Sequence, residues 1–340
     1  MKRTIKRVNW KRFSDEELLE TRIRDLDLSI HESPLESLIE SLYRELDSKN
    51  IKFRPLCYLA DEWLCPEGEP IIGIPFFLAH PRLKHIEQRM MFEVEGGTER
   101  SCMKLLRHET GHALNHAYKF YKKTRWRQLF GSYASKYSNA YYFQPYSKRF
   151  VIHLDGNYAQ AHPDEDFAET FAVWLTPGIS WERKYRDWPA IRKLRYVDGL
   201  IKKTSNEPTI KASQGTPPWS ASRMTSTLSA YYERKRKLLG EEFRGFYDDT
   251  LKKLFSQRGI TMPREKASKL LRQHRRELVK NVSTWTGHRK YDINRLINKL
   301  ICRCDVLELH GEEKDLIGAA TLITAIASNT LRIPRTNKHQ

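Results

Sequence analysis

The chain has 340 residues, of which 39% are hydrophobic and 30% are charged, a composition typical of a soluble globular protein with about two domains. Its longest apolar runs, Ile71 to Ala79 and Ala319 to Ala327, are too short or too interrupted to cross a bilayer. The basic stretch Met1 to Arg7 is not followed by an apolar region, so we expect a cytoplasmic protein without a secretory signal.

The excess positive charge lies in one part of the chain. The formal net charge is +18, yet residues 1–180 carry 26 Lys/Arg against 25 Asp/Glu, whereas residues 181–300 carry 29 against 12. This asymmetry indicates an anionic partner for residues 181–300, a nucleic acid or an acidic protein; the alternative is a solvated basic helical surface. The five cysteines are scattered and odd in number, so a disulfide framework is not expected.

Two helix starts and two strands are predicted in the first eighty residues. Capping boxes at Ser14–Glu17 and Ser33–Glu36 predict helices, the second with an apolar stripe from Leu35 to Leu46. Residues 51–59 and 71–78 have the composition of strands separated by turn residues. Pro75 lies in the second strand and predicts that it is an edge strand, which could pair with an extended peptide.

Further helices are predicted downstream, with little other regular structure. A helix is expected from about Thr98 to Tyr121, a short strand at 150–154, and a second helix from Pro163 to about Thr176. A Pro- and Ser-rich stretch at 204–222 predicts a linker or exposed loop. Helical patterns follow at about 224–256, 264–282, 291–307 and 314–328.

The most informative motif is His108-Glu-Thr-Gly-His112, an H-E-x-x-H pattern inside a predicted helix. Two histidines four residues apart lie on one helix face and can bind one metal ion. Glu109 can then hold and deprotonate a metal-bound water, as in zinc hydrolases. The alternative is an ordinary helix with two surface histidines.

A zinc hydrolase needs a third protein ligand. The position six residues after His112 is Tyr118, so a third histidine with metzincin spacing is excluded. His116 lies one helical turn after His112 and is expected to be a helix-surface residue or one that supports a ligand. The candidates are four acids of the second motif helix: Asp164, Glu165, Asp166 and Glu169. Glu165 and Glu169 have the spacing of a metal ligand followed, one turn later, by an acid that orients a metal-bound histidine. We therefore predict Glu165 as ligand and Glu169 as its supporting acid; reversed roles, or Asp164 or Asp166 as ligand, stay open.

The two motifs together resemble the bacterial zinc-binding metallopeptidase family, over roughly residues 14–200. The resemblance includes the segments Pro75–Pro81 and Glu95–Thr98. The segment Glu165–Phe171 is also similar to a helix of the anthrax lethal factor protease domain. In that domain the first Glu is a zinc ligand, and a Tyr seven residues earlier stabilises the transition state. The matching position here is Tyr158.

The resemblance implies a gluzincin-type zinc metallopeptidase with one Zn²⁺ per chain and a peptide or protein substrate. Glu109 would act as general base and then general acid, and Tyr158 would stabilise the oxyanion, with His162 as a weaker candidate; the alternative role of Tyr158 is core packing. Hydrolysis of a non-peptide amide would use the same site. The alternative function is a nucleic-acid-binding or scaffold protein with a structural or vestigial zinc site and aromatics that stack on bases.

The expected fold is α+β, with helices packed on a small mixed sheet and a mostly α-helical C-terminal region. We expect four parts: N-terminal helices (1–50), a zincin-like catalytic domain (51–200), a linker or exposed loop (201–223) and a basic helical region (224–340).

Overall fold

The computed structural model describes residues 9–137, 140–141, 144, 146–204, 215–239, 247–257, 265–330 and 333–334. These residues cluster into two compact units. Unit 1 comprises those within Met1–Met90 and Val94–Glu233, and unit 2 comprises those within Met91–Glu93 and Arg234–Pro334. This division is coarser than the four parts expected from the sequence, which stay a prediction.

Helices dominate the first two thirds of the chain, with short strands between them. In chain order the elements are α1 (Asp15–Leu19), α2 (Pro34–Ser48), β1 (Leu56–Ala60), β2 (Ile71–Pro75), α3 (Pro81–Met91), α4 (Glu99–Tyr118), α5 (Thr124–Phe130), β3 (Ala140–Tyr141), α6 (Pro163–Leu175), α7 (Trp181–Lys184), α8 (Ile191–Thr204) and α9 (Leu228–Leu239).

The two predicted N-terminal helix starts are observed. Ser14 and Glu17 form a capping box at the start of α1. At α2, the Ser33 side chain accepts from the backbone N–H of Leu35, and Pro34 occupies the first turn. The predicted apolar stripe of α2 is buried through Leu35, Ile39, Leu42 and Leu46.

The sheet of unit 1 is smaller than the sequence predicts. Strands β1 and β2 pair in parallel, from Leu56 opposite Ile71 to Ala60 opposite Pro75. Antiparallel bridges add Leu64 beside Gly73 and Ser220 beside Ala60. The second strand ends at Pro75, before a short 3₁₀ turn at Phe76–Ala79, because a proline has no N–H to continue a ladder.

The two motif helices are close to their predicted bounds. Thr98 caps α4 through a reciprocal pair of hydrogen bonds with Ser101, and the helix ends where Lys119 adopts a left-handed conformation. His162 caps α6: its ring accepts from the N–H of Asp164, and Pro163 follows at the first helical position. Helix α4 packs against α6, α2 and β2, and α6 also packs against α5 and α8.

The predicted strand at 150–154 is wrong, because residues 151–154 have no strand pairing. Their backbone groups bond to side chains instead. The N–H of Ile152 donates to the Tyr185 hydroxyl group, and the C=O of His153 accepts from Lys104. Without a ladder partner, an apolar run of this length does not become a strand.

Unit 2 is mostly helical, as predicted for the C-terminal region. Its further elements are α10 (Asp248–Leu254), β4 (Ser256–Gln257), β5 (Glu265–Lys266), α11 (Ala267–Gln273), α12 (Arg275–Thr286), α13 (Lys290–Val306), β6 (Leu309–Gly311), α14 (Asp315–Thr330) and β7 (Ile333–Pro334). The pattern at 264–282 forms two helices that meet at His274, and the small antiparallel sheet β4-β6-β5 was not predicted. Leucine and isoleucine side chains of α11, α13 and α14 form much of the hydrophobic core of unit 2.

Two further expectations concern cysteines and membranes. All five cysteines are free, as their scatter predicts. Among the helices that the structure describes, none combines the length and apolarity needed to cross a bilayer.

Candidate metal centre

The two histidines of the H-E-x-x-H motif point from α4 towards α6 and are buried. His108 is 1% exposed and His112 is fully buried, and their ring centroids lie 4.8 Å apart. The alternative of two surface histidines on an ordinary helix is therefore wrong.

Glu165 completes a group of three donor atoms that converge from two helices. Its Oε2 lies 3.1 Å from Nε2 of His108 and 3.1 Å from Nε2 of His112. The two Nε2 atoms are also 3.1 Å apart. Among the described residues, this is the one group of three His, Cys, Asp or Glu side chains placed to hold a metal ion.

The donor set fits zinc. Zinc takes imidazole nitrogen and carboxylate oxygen at about 2.0–2.1 Å, and donors arranged tetrahedrally at that distance lie about 3.4 Å from one another. The observed separations of 3.1 Å need only a small expansion to match. Two histidines and one carboxylate, with a fourth position left for substrate or water, are the donor set of hydrolytic rather than structural zinc sites.

Each of the two histidines has its second ring nitrogen held by a carboxylate of α6. Nδ1 of His108 donates to Glu169, at 2.9 Å, and Nδ1 of His112 donates to Asp164, at 2.7 Å. These contacts leave Nε2 of both rings as the atom available to a metal. Glu169 thus contacts a histidine of the group, as expected for the acid that was predicted to support a ligand.

Both supporting carboxylates are themselves anchored. The second oxygen of Glu169 accepts from the N–H of Leu154, at 2.8 Å. The second oxygen of Asp164 accepts from the side-chain amide of Asn115, at 2.6 Å. Asn115 in turn accepts from the N–H of Tyr121, at 2.9 Å. The rings therefore have little freedom to rotate.

The carboxylates hold protons on the histidines when no metal is bound. Burial lowers the pKa of His108, but hydrogen bonds to Glu165 and Glu169 outweigh it and raise the pKa to about 9. Burial also lowers the pKa of His112, and the charges of Asp164 and Glu165 raise it well above its ordinary value. Burial raises the pKa of Glu165, yet the His112 charge and hydrogen bonds from both rings bring it well below the usual range. A metal ion would displace these protons.

Glu109 is buried beside this group. Its side chain is 1% exposed, and it follows His108 directly on α4. Its charge adds to burial in raising the pKa of Cys65 and of Tyr58. The Glu109 carboxylate is therefore close enough to both side chains for its charge to act on them.

Tyr158 also reaches the donor group. It is 3% exposed, and its hydroxyl group donates to Oε1 of Glu165, at 3.2 Å. It lies in the helical turn Asp155–Gln160, where Gly156 and Asn157 both have positive φ, a conformation that glycine and asparagine accept at low cost. Tyr158 is thus part of the buried core and also contacts one of the three donors.

Five other polar residues of this region lie outside the three-donor group and have other partners. His116 contacts the Tyr133 hydroxyl group at 3.0 Å and is outside the three-donor group. His153 bonds to the backbone of α4, and His162 caps α6. Asp166, considered as a ligand, instead pairs with Lys193 of α8 at 2.5 Å. Asp164, also considered as a ligand, supports His112.

Sequence reasoning missed three supporting residues. Asp164 was considered only as a ligand, not as the partner of His112, and neither Asn115 nor Lys193 was considered. Asp164 directly precedes Glu165, and Asn115 lies three residues after His112, so both are one helical turn or less from a predicted ligand. That proximity was a usable signal. No local pattern links Lys193 to Asp166, because that pair depends on how α8 packs against α6.

Gly111 lets α4 and α6 approach closely. A Cβ atom built on Gly111 would lie 2.7 Å from Cα of Ala168 and 3.1 Å from its carbonyl oxygen. Both neighbours are main-chain atoms of α6, so the helix itself would have to move. Gly111 thus fixes the spacing between the helix that carries the histidines and the helix that carries Glu165.

Comparison with known protein families supports the reading of this site. Residues 86–178 match the family described as putative zinc-binding metallo-peptidase. The resemblance predicted from the two motifs is confirmed over this segment, which contains α4, α6 and Tyr158. Neither the search of curated proteins nor that of solved structures gave a match.

We expect Gly111→Ala to weaken both folding and metal binding. Overpacking at a fixed contact costs about 1–3 kcal/mol, which outweighs the gain of about 1 kcal/mol from replacing glycine within a helix. Denaturant unfolding and zinc titration measure the two effects.

The matched control is Gly199→Ala in α8, where an added Cβ meets no atom within 4 Å. This variant should be more stable than the parent by about 0.4–1 kcal/mol and bind zinc normally. Equal stability and equal zinc affinity of Gly111→Ala and the parent chain would contradict the spacing argument.

Proposed function

We propose that this chain is a zinc-dependent peptidase with one zinc ion per chain, held by His108, His112 and Glu165. The observation that carries the proposal is the convergence of their three donor atoms, each 3.1 Å from the other two, next to the buried Glu109. The match of residues 86–178 to a zinc-binding peptidase family supports it.

Glu109 is the proposed general base. Bound zinc would act as a Lewis acid that polarises the substrate carbonyl group and makes a water molecule more acidic. The Glu109 carboxylate takes the proton of the attacking water and later delivers it to the leaving amine. Its burial keeps competing solvent away from that proton.

The second motif helix serves to hold the ligands in place. Glu169 and Asp164 fix the ring orientation of His108 and His112, and their negative charge strengthens the imidazoles as metal ligands. Asp164, Glu165 and Asp166 all lie in the first turn of α6, where the helix dipole stabilises carboxylates.

Tyr158 is the proposed oxyanion donor. Its hydroxyl group contacts the carboxylate of Glu165, which supports a position within reach of a substrate bound at the same centre. In this proposal the hydroxyl group leaves Glu165 and donates to the oxygen that becomes negatively charged in the transition state.

Base stacking by the aromatics of the basic segment is not supported. Four aromatics considered for stacking are buried in the core and have no face available to a nucleic acid: Trp181, Tyr185, Tyr231 and Tyr232. Trp188, Tyr196 and Tyr247 are half-buried. Phe243 lies outside the described residues. No specific observation therefore favours the nucleic-acid-binding or scaffold alternative over a peptidase.

Zinc affinity tests the ligand assignment. We expect Glu165→Ala to lose zinc, because it removes a ligand. Glu169→Ala and Asp164→Ala should weaken binding by about 10–100-fold, because they remove only the support of one histidine. Competition with a zinc-sensitive dye measures all three, with exposed Glu99→Ala on α4 as the unchanged control. Normal zinc binding by Glu165→Ala would remove it from the ligand set.

Glu109→Gln tests the mechanism. It keeps the shape of the side chain but cannot accept a proton, so we expect kcat to fall by about 10²–10⁴-fold while zinc stays bound. Glu99→Gln makes the same chemical change at an exposed position of the same helix and should leave activity unchanged. The assay compares cleavage products from a peptide mixture by mass spectrometry. Cleavage by Glu109→Gln at the rate of the parent chain would refute this mechanism.

Tyr158→Phe separates two roles of the hydroxyl group. If it donates to the oxyanion, kcat should fall by about 10²–10³-fold with zinc affinity little changed. If it only orients Glu165, zinc affinity should fall while the zinc-loaded protein keeps its kcat. The second result would rule out the oxyanion role.

A further inference from the structure

A polar cavity lies in unit 1, between α5 and α8. Its volume is about 410 Å³. Its wall carries four basic side chains and no acidic one: Lys123, Arg125, Arg195 and Lys203. Within the described part of the chain, none of the four forms an ion pair with a carboxylate, although Arg125 donates to the amide of Gln128.

Tyr196 of α8 also forms part of this wall. Its oxygen is buried and has no hydrogen-bond partner among the described residues. Burial raises the pKa of Tyr196, against a smaller opposing effect of Arg125, so the hydroxyl group stays protonated as a donor.

This cavity is separate from the metal centre. The ring of Tyr196 lies 6.2 Å from that of Phe130, which lies 5.4 Å from the ring of Phe167 on α6. Phe167 is on the α6 face opposite to Glu165, so an aromatic layer lies between the cavity and the zinc ligands.

Four like charges around one cavity repel one another, and an anion relieves that repulsion. A phosphate group carries a charge of about −1.5 to −2, so two of them match four cations, whereas a carboxylate brings only one negative charge. Arginine side chains also bind phosphate oxygens in a bidentate manner. The volume lies within the range of about 300–1,000 Å³ typical of small-molecule sites.

We propose that this cavity binds a small ligand with two or more phosphate groups, held by the side chains of Arg125, Arg195, Lys123 and Lys203. Gly199 leaves room for it, since a Cβ there would meet nothing within 4 Å.

Calorimetric titration of the full-length, zinc-loaded chain with pyrophosphate tests the proposal. We expect saturable binding of one pyrophosphate per chain that weakens as salt concentration rises. The double variant Arg195→Gln, Lys203→Gln should bind at least about tenfold more weakly, because two charge-assisted contacts are lost. Arg192→Gln removes an exposed cation of the same helix outside the cavity and should bind like the parent chain.

Gly199→Leu provides a second test, since it fills part of the cavity and leaves every charge in place. We expect it to weaken pyrophosphate binding while the zinc content stays normal and the thermal melting temperature does not fall.

Three results would overturn the proposal. One is the absence of saturable pyrophosphate binding at millimolar concentration. Another is unchanged affinity in the double variant, which would place the ligand on the zinc ion or elsewhere. The third is tighter binding of a tricarboxylate such as citrate, which would show that the cavity selects carboxylates rather than phosphates.

Discussion

The close contact between Gly111 of α4 and Ala168 of α6 is the constraint on which the candidate centre depends. The histidines belong to one helix and the third donor to the other, so no local interaction sets the distance between them. A side chain of any size at Gly111 would displace the main chain of α6. The small residues at this crossing thus determine whether three donor atoms can meet at one point.

Charge balance is the second constraint. Glu109, Asp164, Glu165 and Glu169 are all at most 3% exposed, and burying so many carboxylates is costly unless each is compensated. The raised pKa values of His108 and His112 indicate that these carboxylates favour a positive charge on the two rings, which is part of that compensation. A divalent cation would provide it without protons, so folding and metal binding favour the same arrangement.

The features of the centre that follow helical periodicity could be predicted from the sequence. The spacing within each helix and a known ligand pattern were enough to predict that His108, His112 and Glu165 converge. The same spacing predicted that Glu169 lies beside this group. The helix starts at Thr98 and Pro163 could also be predicted, because their signals lie within four residues.

Features that depend on contacts between distant segments were not predictable in this way. The stretch at 151–154 has the composition of a strand, yet it bonds to side chains of α4, α6 and Tyr185. The pair between Asp166 and Lys193 depends on the packing of α8. The burial of Trp181, Tyr185, Tyr231 and Tyr232 in the basic segment likewise reflects tertiary packing, which charge and composition do not report.

The cap of α6 has a consequence for the dynamics of the centre. Helix ends open more easily than helix interiors, yet the first turn of α6 holds both Glu165 and Asp164. His162 and Pro163 restrict that opening by occupying the N-cap and the first helical position. In the proposed site, unwinding of this turn would release the ligand Glu165 and, at the same time, the contact of Asp164 with His112. The frequency with which this one turn unwinds would therefore limit the lifetime of bound zinc.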